Sequence, residues 1–98
     1  MNILETKNNM VIINNNDNTH ECLISLFSYN TLIATYEKNY NCKGILLLTN
    51  KYNYSRTTSK HLNYFINNYC NNIDKKNIEK NTSILDRHKQ YDFIVYEN

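Results

Sequence analysis

The chain has 98 residues, 41% of them hydrophobic, with a formal charge of +2 and a mean hydropathy of −0.68. That length allows one domain with a small core, hiding only about 60–65% of the unfolded chain's surface. No apolar run is long enough to cross a membrane as a helix. The opening MNILETKNN lacks the basic head and apolar stretch of a signal peptide.

Asparagine fills about a fifth of the chain, Gly44 is the sole glycine, and proline is absent. Asparagine is the best non-glycine residue at positive φ, so it is expected to supply most of the turns. Enrichment in Asn, Lys, Ile and Tyr is the mark of AT-rich coding DNA: a low-GC bacterium, its phage, or an AT-rich eukaryote or virus. Cys22, Cys42 and Cys70 share no paired spacing, which predicts buried free thiols in a reducing cytoplasm.

Along the chain, Asn2 to Lys7 and Met10 to Asn14 read as short strands around a tight Asn8-Asn9 turn. Residues 14–18 form a loop. Glu21 to Phe27 and Thr31 to Glu37 are richer strands joined by Ser28-Tyr29-Asn30. Gly44 to Asn50 is a continuous apolar run suited to a central strand. Leu62, Phe65, Ile66, Tyr69 and Cys70 then fall on one face of a helix over about residues 57–71, with Thr57 or Thr58 as its N-cap and Asn71-Asn72 ending it. A weaker helical pattern covers about 75–88, and Tyr91 to Tyr96 reads as a last strand. The expected architecture is α+β: an antiparallel sheet of four to five strands with the main helix on one face. Several strands are apolar on both sides. The second face therefore needs the second helix or another copy of the chain, which makes a homodimer an expected partner state.

Charge is unevenly placed. Between Lys38 and Ile73 lie five basic residues (Lys38, Lys43, Lys51, Arg56 and Lys60) and no acid. Inside this segment sits KYNYSRTTSKHLNYF, Lys51 to Phe65, the one stretch that suggests a surface. Tyr52 and Tyr54 alternate, so an extended backbone would turn both to the same side. Arg56, Thr57, Thr58, Lys60 and His61 are expected to form one exposed cluster at the helix N-terminus, where free N–H groups and the helix dipole favour anions. Aromatic rings beside cations suit a protein partner or single-stranded RNA or DNA. The plainer reading is a capped helix start with solvated charges.

Catalytic and metal signatures are lacking. His20 and Cys22 lie two apart, but no second close-spaced pair completes a zinc set. There is no GxSxG, no Gly-rich phosphate loop and no pair of carboxylates in an apolar setting. His61 is the only candidate base beside hydroxyls, and it reads as a packing histidine at the stripe's margin. Neither an enzyme nor a bound cofactor is expected.

SYNTLIA, Ser28 to Ala34, followed after a hydrophobic strand by YSRTTSKHLNYF, Tyr54 to Phe65, resembles a family of small proteins encoded by phages and prophages. There a segment like SYxTxIA precedes a strand and then a helix opening with S-x-TT-x-KH. The likeness spans about residues 24–70, matching at Ser28, Tyr29, Thr31, Ile33, Ala34, Tyr54, Ser55, Arg56, Thr57, Thr58, Lys60 and His61. That family's function is unknown, so the resemblance implies a source and no mechanism. With the small size, it implies a stoichiometric binder that blocks a host defence complex of the anti-CRISPR kind, in the cytoplasm of a low-GC bacterial host. A small RNA- or single-stranded-DNA-binding protein of phage regulation is the alternative.

Overall fold

The computed structural model describes residues 2–16, 18–80 and 90–98. Its strands are β1 (Asn2–Lys7), β2 (Met10–Asn14), β3 (Cys22–Ser28), β4 (Thr31–Lys38), β5 (Ile45–Leu48), β6 (Glu79–Lys80) and β7 (Phe93–Tyr96). They form one antiparallel sheet in the order β1-β2-β3-β4-β5-β7-β6, with a single α-helix, α1 (Arg56–Tyr69). The α+β class holds, but the sheet has seven strands rather than four or five. The extra pairing comes at the edges, where β1 closes a hairpin and β6 is two residues long, too short to show a period.

Asparagine does make the turns. Asn8 and Asn9 have φ of 52° and 65°, and Tyr29 and Asn30 have 50° and 65°. Positive φ at both central residues gives each two-residue hairpin the twist that its right-twisted strands require. Asn18, Asn41 and Asn72 also lie at positive φ, so Tyr29 is the one residue in this set that is not asparagine. Gly44 is not among them. Its role is close approach: a Cβ there would stand 2.2 Å from Tyr36 Oη. Tyr36 needs that space because its hydroxyl donates to Glu97 Oε1 (2.9 Å), while the Gly44 N–H donates to Glu97 Oε2 (2.8 Å).

The main core lies between the sheet and α1. Met10, Ile12, Ile24, Leu26, Ile33, Ala34, Tyr36, Leu46, Leu48 and Val95 meet Leu62, Phe65 and Ile66 of the helix. Ile33 and Ala34 are neighbours, yet both point inward. The pairing shifts between Leu26–Ala34 and Phe27–Leu32, and this bulge puts two successive side chains on one face. On the other face Leu47, Ile94 and Tyr91 form a smaller cluster with Leu32 and Ile45.

Two expectations for the second half change. After α1 the chain makes only a 3-10 turn at Lys75–Asn77 and then joins the sheet as β6. Asp74 explains the break: its carboxylate accepts from the Lys76 N–H (2.9 Å), its carbonyl accepts from the Asn77 N–H, and Ile78 is already extended. The rest of the expected second helix, 81–89, lies outside the described residues. The thiols also differ. Cys22 and Cys70 are half-buried, and burial pushes both above the ordinary thiol value, but Cys42 is exposed. Among the described residues no helix is long and apolar enough to cross a membrane.

Candidate polar cleft at the start of the helix

Helix α1 begins at Arg56, and its N-cap is Ser55 rather than Thr57 or Thr58. Ser55 is extended (φ −147°), and its Oγ accepts from the Thr58 N–H at 3.1 Å. A serine here satisfies one of the free donors of the first turn. At the far end, Cys70 closes the helix with its N–H on the Ile66 carbonyl. Leu62, Phe65 and Ile66 are buried as their spacing predicts, and Tyr69 is half-buried.

The proposed exposed cluster divides in two. Arg56, Thr57 and Lys60 face solvent. Thr58 is 3% exposed and His61 7% exposed. Both are inward because the buried stripe continues back from Leu62 and Phe65 by one turn, which is four residues, to Thr58 and His61. The two tyrosines separate as well. Residues 50–54 are not extended: the Tyr52 N–H bonds the Thr49 carbonyl and the Tyr54 N–H bonds the Lys51 carbonyl, two successive turns. Tyr52 therefore packs edge-on against Phe93 beside the core (centroids 5.3 Å apart), whereas Tyr54 is 75% exposed.

What buries Thr58 and His61 is Ser28, the last residue of β3. Its Oγ lies 3.2 Å from Thr58 Oγ1 and 2.8 Å from His61 Nδ1. Burial pulls the His61 imidazole below its ordinary value, partly opposed by the nearby Asn8 backbone. His61 Nδ1 and the Ser28 hydroxyl share one bond, whose direction follows the tautomer of the ring. Ser28 Oγ can accept from the Thr58 hydroxyl, which accepts in turn from the Ser55 hydroxyl at 3.1 Å. These bonds link the N-cap of α1 to the end of β3.

This polar chain forms the back of a cleft of about 410 Å³. One wall is the β3–β4 hairpin, with Ser28, Tyr29, Thr31 and Ile33; the other is Lys51, Tyr54, Ser55, Thr57 and Thr58. Tyr29 is 54% exposed and its ring is tilted over His61, centroids 6.2 Å apart. Lys51 Nζ sits 5.1 Å from the Tyr54 ring centroid. Among the described residues no carboxylate pairs with Lys51, Arg56 or Lys60. Of the residues singled out from sequence, Tyr54, Thr57 and Thr58 line this cleft; Arg56, Lys60 and His61 are not in its lining and follow or flank these residues on α1; Tyr52 packs against the core. Ser28, Tyr29 and Thr31 were missed as site residues. Their signal was the other quoted segment, SYNTLIA, which the fold brings against YSRTTSKH.

A second hollow, of about 360 Å³, lies on the opposite sheet face. Its polar groups answer one another: His20 Nε2 with Glu37 Oε1 (3.0 Å), and Ser25 Oγ with Thr35 Oγ1 (2.9 Å), which also meets Tyr91. The cleft differs from this hollow in carrying two exposed rings, Tyr29 and Tyr54, on its walls. Among the described residues no three potential metal ligands gather at one point.

A family model described as a family of unknown function, DUF8033, matches residues 1–81. No curated protein and no solved structure matches the chain.

Proposed function

The chain belongs to this family of unknown function, and we propose that it works by stoichiometric binding, with the cleft between the β3–β4 hairpin and the start of α1 as its contact surface. The observation that carries this reading is the convergence of two distant segments. Ser28 and His61, 33 residues apart, bond at 2.8 Å and fix the two walls against each other. Tyr29 and Tyr54 remain exposed on those walls. Exposed aromatic rings on rigid supports are the side chains that dominate binding energies. The Ser28–His61 pair supports a structural role over a catalytic one: Ser28 is 2% exposed, and its hydroxyl is already engaged by Thr58 as well as by His61.

The finer reading rests on the resemblance of SYNTLIA and YSRTTSKH to small phage proteins. On it, the bound partner is a host defence complex and the outcome is inhibition. The test is nuclease activity of the defence complexes of a low-GC host, assayed with excess protein, wild type against Tyr54→Ala. Inhibition by the wild type at one equivalent, weakened in the variant, supports the reading. Unchanged cleavage by every complex sinks it.

A further inference from the structure

The geometry points to single-stranded nucleic acid as the occupant of this cleft, with Tyr29 and Tyr54 stacking bases and Lys51, Arg56 and Lys60 neutralising phosphates. This rests on the cleft being the contact surface and names the chemistry that it recognises.

Tyr29 carries the argument furthest. Six of the seven non-glycine residues at positive φ are asparagine, the residue that tolerates this backbone, and the seventh is Tyr29. An aromatic side chain there is strained, and strain of this kind persists where the side chain has a task. The turn itself gains nothing from tyrosine, because Asn8 and Asn9 close the neighbouring hairpin with the same geometry. What the tyrosine adds is a ring, half in solvent, at the rim of the cleft. Its face is set by the His61 ring beneath it.

Tyr54 supplies a second ring on the facing wall, and it is the most exposed large hydrophobic residue among those described. A base stacks on such a face whatever its identity. Lys51 lines the cleft beside Tyr54, Arg56 and Lys60 are exposed on the first turns of α1, no described carboxylate pairs with any of the three, and no acid occurs in the chain from Lys38 to Ile73. A ligand with flat rings joined by anions meets both features. In a duplex the base faces are already stacked, so only an unpaired strand can use these tyrosines.

The experiment is fluorescence anisotropy of the full chain with a labelled oligothymidylate of about a dozen nucleotides and its oligouridylate counterpart, against a duplex of equal length. Expected is binding of both single strands in preference to the duplex. Three neutralised phosphates weaken the affinity roughly twentyfold between about 50 and 200 mM salt. Tyr54→Ala lowers it at least about fivefold. Tyr29→Asn keeps the turn, since asparagine occupies every equivalent position, and lowers the affinity likewise. Arg56→Ala with Lys60→Ala flattens the salt dependence. Absence of binding at low salt overturns the inference, and so does binding that neither tyrosine variant changes. If oligonucleotides fail while a defence complex is still inhibited in a Tyr54-dependent manner, this inference is wrong and the cleft remains a protein-binding surface. If both fail, the cleft is not the contact surface.

Discussion

Ser28 Oγ lies 2.8 Å from His61 Nδ1, and this contact ties the end of β3 to the second turn of α1. Both residues are buried, so neither can exchange its partner for water. Ser28→Ala takes from His61 Nδ1 and from the Thr58 hydroxyl the partner that each has in Ser28 Oγ. An unmade bond at a buried polar group costs about 1–3 kcal/mol. We predict a loss of stability in that range by urea unfolding, with Thr31→Ala, an exposed neighbour on the same hairpin, within about 0.5 kcal/mol of wild type. Equal stability of the two variants would show that the polar chain does not hold the helix to the sheet.

The helix start makes a separate prediction. Ser55→Ala removes the N-cap acceptor and should cost about 1 kcal/mol. Thr57→Ala, one turn position later and exposed, should change stability by less than about 0.5 kcal/mol. Thr58→Ala should cost more than the cap alone, because its hydroxyl also belongs to the buried chain. Thermal unfolding of the three variants ranks them, and Thr57→Ala as the most damaging would place the cap wrongly.

Gly44 tests the opposite end of the sheet. A methyl group there meets Tyr36 Oη at 2.2 Å and Cζ at 2.4 Å. Tyr36 is fully buried and its hydroxyl is held by Glu97, so the ring cannot move aside cheaply. Gly44→Ala should destabilise the fold by about 1–3 kcal/mol, the usual cost of overpacking. Because the ring carbons are part of the collision, Tyr36→Phe should not rescue it. Rescue by that second change, measured in urea, would mean that the hydroxyl alone is the obstacle.

Much of this fold follows from periodicity. The hairpins of β1–β2 and β3–β4, the apolar run of β5 and the Leu62–Phe65–Ile66 stripe are all local patterns. The turns were foreseeable in kind, since a chain with one glycine must use asparagine at positive φ. The site was harder for a definite reason. Thr58 and His61 look like solvated residues because they are polar, yet the helical period places them on the buried face. Only a hydroxyl from elsewhere can satisfy them there, and Ser28 comes from a strand 30 residues away. Tyr29 is hidden for a different reason: the turn is readable, but nothing in residue preferences predicts tyrosine at positive φ. Asp74 to Lys80 failed as a helix because a local carboxylate cap and an i+3 bond stop it after one turn.

Arg56 and Lys60 separate stability from binding. Both are exposed, and no described carboxylate pairs with them. Removing solvated charges changes stability little, so the double alanine variant should unfold within about 0.5 kcal/mol of wild type. A large loss in urea would show these charges to be part of the fold and would remove them from the contact surface.

The buried imidazole gives the protein a pH dependence whose sign can be worked out. Burial lowers the His61 pKa below its ordinary value, and the nearby Asn8 backbone opposes this without cancelling it. As pH falls, the unfolded chain therefore takes up this proton first, near its ordinary value of about 6.5. Between that value and the lower folded one, the unfolded state binds more protons, so stability decreases as pH falls through the window. Below the folded value the contribution is flat, and above about pH 7 it is fully present. The prediction is placed on the difference between two proteins that share every other titratable group. Urea midpoints of wild type and His61→Gln, measured from about pH 7.5 down to about 5.5, should converge as the pH falls. A constant gap between the two proteins across that range would mean that His61 protonates as readily folded as unfolded, and that its contact with Ser28 survives the charge.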